Sequence, residues 1–155
     1  MTATTAFANP ALPRHRRIEL LAAAAPAALI ELADRCLADA PSPILVAGPE
    51  VGLVMYQVRE PVENSRFYLG EILVSRADIE HRGCQGWSMR LGEDAEAALA
   101  AAVLDAEVES DGAYAGAVDE LCRRTELELD REAVLERHEL SATEVRFEGL
   151  DGDEN

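Results

Sequence analysis

Between Pro43 and Gly92 the chain reads as four strand-like segments with no gap longer than six residues between them. Ile44–Ala47 is short and apolar, and Gly48-Pro49-Glu50 after it is a turn signal. Val51–Arg59 is rich in β-branched and aromatic residues, and Glu60–Ser65 follows as a loop. Arg66–Ile79 is a long apolar stretch, well beyond the usual five or six residues, with a bend expected near Gly70. His81-Arg82-Gly83 is a turn, and Cys84–Leu91 is the last strand. A parallel crossover needs about a dozen residues, so successive strands joined this closely must run antiparallel. The spacing therefore predicts a small meander.

Helical spacing brackets the sheet. Arg14–Ala25 places Ile18, Leu21 and Ala22 on one face. Pro26 then opens a second helix, where a missing N–H costs little. Leu29, Leu32, Ala33, Cys36 and Leu37 give it an apolar stripe, and Pro41 and Pro43 end it. After the sheet, Glu93–Ser110 is an alanine-rich helix with Asp94 as its N-cap. Ala113–Glu128 and Arg131–Arg137 read as two more helices divided near Asp130, and Ser141–Phe147 as a last short helix or strand. The expected fold class is α+β, a small antiparallel meander with helices before and after it. Residues 1–13 and 149–155 are expected to be disordered tails around a single domain at 14–148.

The Glu93–Ser110 helix carries a second constraint. Ala95, Leu99, Ala102, Val103 and Ala106 form one apolar stripe, and Ala97, Ala101, Leu104 and Val108 form another nearly opposite. The flanks between them hold Glu96 and Glu107 on one side, Asp105 and Glu109 on the other. A surface helix needs one stripe. One would cover the sheet; the other must meet a further helix of this chain or a partner protein.

Charge excludes some functions. There are 30 acids against 14 bases, all of them arginine, for a net of −16. Residues 93–155 hold a balance of −15. Nucleic-acid binding requires a basic surface, so it is not expected. The acid excess together with the absence of lysine suggests salt adaptation, since at roughly 1 M salt a Debye length of ~3 Å screens the self-repulsion. No apolar run reaches membrane-spanning length. Three widely spaced cysteines (Cys36, Cys84, Cys122) make no disulfide framework, which fits a reducing cytoplasm.

Catalytic signatures are sparse. The pair His81 and Cys84 is the only close His/Cys spacing, short of the four ligands zinc favours, so no metal is expected. Dinucleotide, P-loop and nucleophile-elbow motifs are missing. One carboxylate stands out. Strand alternation puts Phe67, Leu69, Glu71 and Leu73 on one face, and an acid on an apolar face wants a partner. Arg59, Arg66 and Arg76 are within reach in sequence. Either a structural ion pair or a binding role follows.

As an ordered set, Glu50-x-Gly52-Leu53-Val54, Arg66-Phe67-Tyr68-x-Gly70-Glu71, Val74-x-Arg76, Gly86-Trp87, Leu91-Gly92-x-Asp94 and the Ala98–Asp105 helix resemble the PhnG family. That resemblance covers about residues 16–148 and is best from Gly52 to Ala106. It implies an accessory subunit of the carbon–phosphorus lyase system, working with PhnI-like, PhnH-like and PhnJ-like partners. The assembly uses ATP and a phosphonate; no cofactor is expected on this chain, and no family catalytic residue is carried over. On this reading Arg66, Phe67, Gly70, Glu71, Arg76, Trp87, Leu104 and Asp105 are the partner-interface candidates, and the isolated chain self-associates. Two alternatives are a free-standing enzyme using Glu71 and an arginine pair on a phosphorylated substrate, and a homo-oligomeric binding module.

Overall fold

The structure, a computed structural model, describes residues 12–38 and 40–141. Its elements run α1 (Arg14–Ala23), α2 (Pro26–Ala38), β1 (Ile44–Arg59), β2 (Arg66–His81), β3 (Cys84–Leu91), α3 (Ala95–Glu109) and α4 (Ala115–Ser141). The sheet is antiparallel in the order β1-β2-β3, with helices preceding and following it, so the fold is α+β.

Two boundaries differ from expectation. Ile44–Ala47 and Val51–Arg59 are one strand, not two: β1 passes through register shifts between Leu45 and Glu50 and stays paired with β2. Gly48 makes this possible. It holds φ +75°, and a Cβ there would lie 2.6 Å from the Arg76 carbonyl oxygen. The turn signal is real, but it is spent on a bulge inside a strand. Likewise, no break occurs near Asp130, and α4 runs unbroken to Ser141. Neither Gly nor Pro occurs between 117 and 148, and one aspartate costs a helix well under about 1 kcal/mol. Beyond Ser141, the expected last element lies outside the described residues, as do the 149–155 tail and residues 1–11.

Helix α3 is the centre of the molecule. Asp94 caps it by accepting the Ala97 N–H at 2.9 Å. It ends at Ser110, where Asp111 turns left-handed at φ 52°. Ten of its fifteen residues are buried, which leaves no apolar side for another protein. One side lies on β2 and β3; α2 covers the other with Leu29, Leu32, Ala33 and Cys36. The second stripe is thus met by the chain's own α2. Small residues let the helix approach the sheet closely: a Cβ on Gly86 would lie 2.0 Å from the Ala102 carbonyl oxygen.

Helix α1 is fastened by charge. Its buried face is Arg17, Leu20 and Leu21, not Ile18. Asp105 on α3, wholly buried, accepts Arg17 Nη2 at 2.8 Å, Arg14 Nη2 at 2.8 Å and the Trp87 backbone N–H at 3.2 Å. Arg17 also pairs with Glu109. The Arg14 guanidinium is held above its ordinary pKa by its hydrogen bond to Asp105. At the other end of α1, Arg90 caps the helix by donating to the Leu21 and Ala24 carbonyls.

Candidate docking surface

Helix α3 lies on one face of the sheet. That helix-side face carries Ser75, Ala77, Ile79 and His81 of β2, with Gly86, Ser88 and Arg90 opposite on β3. On the other, open face, α1 reaches only the β3 side, where Val74 is buried, and among the described residues no other helix covers it. Beyond the sheet body, moreover, β3 stops opposite Val74, while β1 and β2 continue. Residues 51–59 and 66–73 therefore form a two-stranded arm with no third strand beside it.

The register gives the arm's two faces. Leu53 pairs with Leu73 and Met55 with Glu71, continuing the helix-side face. Gly52 pairs with Val74, Val54 with Ile72 and Tyr56 with Gly70, continuing the open face. A shift between Tyr56 and Gln57 then leaves Leu69 as an extra residue on β2. Past it, Gln57 meets Tyr68, Val58 meets Phe67 and Arg59 meets Arg66. A one-residue bulge reverses strand alternation, so Phe67 shares the open face with Tyr56, not the face of Glu71. The expectation that Phe67, Leu69, Glu71 and Leu73 line one face is corrected accordingly.

Large apolar side chains stand in solvent along this arm. Leu53 is 60% exposed, Met55 56%, Tyr68 61% and Leu69 64%. A two-stranded ribbon is marginally stable by itself, and contiguous exposed apolar surface of this kind marks an interaction site. At its base the open face widens into an apolar groove of about 590 Å³. Ile18 and Ala22 of α1 form one wall, Val54, Ile72, Val74, Trp87 and Met89 the floor.

The eight sequence-nominated positions divide. Arg66, Phe67, Gly70 and Glu71 lie on the arm, exposed. Trp87 is half-buried in the groove. Arg76 sits in the sheet body, bound to Glu50 at 2.9 Å and near Asp78 at 3.6 Å, so it does not serve Glu71. Among the described residues, no ion pair joins Glu71 to Arg59 or Arg66 either. Leu104 and Asp105 are fully buried in this chain's own core, the latter as the anchor of α1. They present nothing to a partner. Sequence reasoning passed over Leu53, Met55 and Tyr56; the signal for them was a β1 segment apolar on both faces.

Several other reactive groups are closed in, while Cys84 is half-buried and His15 and His138 are exposed. Burial pushes the Cys36 and Cys122 thiols up to about 11, so both stay protonated at neutral pH. Burial, aided by adjacent Arg82, holds His81 below its ordinary pKa. Glu107, also fully buried, accepts the Tyr114 N–H at 3.0 Å and lies 3.5 Å from Arg82, tying the α3–α4 loop to the β2–β3 turn. Among the described residues, no group of three or more His, Cys, Asp or Glu is placed to hold a metal ion, and no helix is long and apolar enough to cross a membrane.

Comparison with known proteins agrees with the sequence resemblance. The family model described as phosphonate metabolism protein PhnG matches residues 12–151. The chain is also 35% identical over 119 residues to the alpha-D-ribose 1-methylphosphonate 5-triphosphate synthase subunit PhnG of Rhizobium meliloti (strain 1021), a match covering 76% of either chain. With nearly all of the folded body inside the matched span, this chain belongs to the PhnG family of phosphonate metabolism proteins.

Proposed function

We propose that this chain is a non-catalytic subunit of the carbon–phosphorus lyase core assembly, in the cytoplasm, with PhnI-like, PhnH-like and PhnJ-like partners. The reaction it supports transfers an alkylphosphonate to C1 of the ATP ribose. A phosphonate oxygen forms the new C1–O bond, the C1–N bond to adenine breaks, and adenine departs with a proton. The product is an alkylphosphonate ribose 5-triphosphate. ATP and phosphonate are bound by the assembly, and this chain contributes structure.

The observation that carries this reading is the arm: two paired strands with large apolar side chains in solvent and, among the described residues, no layer of this chain upon them. The Rhizobium meliloti relative, a synthase subunit by name, points the same way.

Co-expression tests it. The chain is expected to co-purify in fixed ratio with a PhnI-like subunit at high salt, and to run larger than a monomer when expressed alone. Purified by itself it should release no adenine from ATP and methylphosphonate. Adenine release by the lone chain, or a well-behaved monomer that ignores its partners, contradicts the proposal.

A further inference from the structure

The arm's two faces differ in chemistry. The open face is uncharged from base to tip: Gly52 and Val74, Val54 and Ile72, Tyr56 and Gly70, Val58 and Phe67. The helix-side face begins with Leu53 and Leu73, then carries Glu71 beside Met55, Tyr68 beside Gln57, and Arg66 directly opposite Arg59.

Like charges facing each other across a ladder are destabilising. Here no acid among the described residues relieves them. Arg59 donates to Asn64 Oδ1 at 3.1 Å, and neither guanidinium forms an ion pair among the described residues. Two acids sit in the adjoining turn. Glu60 is turned inward, accepting the backbone N–H groups of Val62, Glu63 and Ser65, which hold its carboxyl below the ordinary range. Glu63 pairs with neither arginine. In a chain with 30 acids and 14 bases, two unrelieved guanidiniums share one tip.

Desolvating such charges without counter-charges is prohibitive, so whatever covers this face must bring them. From this we infer that the arm enters a partner-protein groove with unlike walls. One wall is apolar throughout and takes the open face. The other carries a carboxylate that bridges Arg59 and Arg66, and a basic group that meets Glu71. A guanidinium fork matches a carboxylate in two-point geometry, which fixes the arm's register and which way up it enters. This inference rests on the subunit reading and adds to it the chemistry of the partner's surface.

The test uses the full chain and its co-purifying PhnI-like subunit. Arg59→Glu/Arg66→Glu is expected to weaken association by roughly 30-fold or more and to flatten its salt dependence. Arg137→Gln, on the exposed part of α4, should leave both unchanged. All these positions are solvent-exposed, so unaltered melting confirms intact folding before binding is read. A charge-reversed arm that binds as tightly as wild type, with the same salt slope, overturns the inference while leaving the subunit reading standing. Unchanged association with weakened ATP binding by the complex also overturns it, assigning the arginines to a phosphate. If wild type itself does not bind, the subunit reading fails first.

Discussion

Replacing Asp105 by alanine will destabilise the fold by about 3–5 kcal/mol, the largest effect expected of any single polar substitution here. The carboxylate is wholly buried and holds the buried Arg17, Arg14 and the Trp87 N–H at once. Its removal leaves the Arg17 guanidinium charged in the interior with only Glu109 nearby. Domains of this size are stable by about 5–15 kcal/mol, so the loss is a large share of the total. Arg14→Ala should cost under about 1 kcal/mol, because that side chain is 41% exposed and water screens the pair. Exchanging both charges together, Arg17→Met with Asp105→Leu, should recover most of the loss. Urea unfolding of the four proteins measures all three differences. A mild Asp105→Ala variant would show that α1 is not anchored through this carboxylate.

Gly86→Ala should cost about 3 kcal/mol, at the upper end for overpacking. The added carbon would lie 2.0 Å from the Ala102 carbonyl oxygen, 2.8 Å from the Ala106 Cβ and 2.9 Å from the Ala106 nitrogen. Two of those atoms are backbone of α3, so no rotamer change relieves the clash. The helix must rise off the sheet and open the core beneath it. Gly52→Ala on the arm is the control: nothing lies within 4 Å of its new carbon. It should shift stability by no more than about 0.5 kcal/mol. Thermal unfolding of the pair reads the difference, and equal melting temperatures would remove Gly86 as the point of closest helix–sheet approach.

These two sites show what the linear sequence reveals and what it conceals. Helix spacing, the Asp94 cap and the short inter-strand gaps are local, and they place α1, α2, the meander and α3, although β1 and α4 each join two elements that the spacing had divided. The sites that fail are those where a local signal has two tertiary outcomes. Gly48-Pro49 marks a turn or a bulge with equal force, and pairing with β2 decides for the bulge. Leu69 reverses the alternation that linked Phe67 to Glu71, and a bulge has no signature in periodicity. The second stripe of α3 looks the same whether α2 or a foreign protein lies on it; α2 does. Asp105 looks like one solvated acid among many until the fold brings Arg17 against it. The arm was only half legible. Its residues were singled out by type, but their exposure follows from β3 being shorter than β2, a fact about pairing.

Amide hydrogen exchange across the arm tests the central claim most directly. If the arm is left unfinished by its own fold, residues 51–59 and 66–73 should exchange quickly in the isolated chain, while α3 stays protected. Adding the partner subunit should then slow the arm strongly and leave α3 as it was. Arm amides as slow as those of α3 in the lone chain, with no change on adding partners, would mean that this surface is complete without another protein.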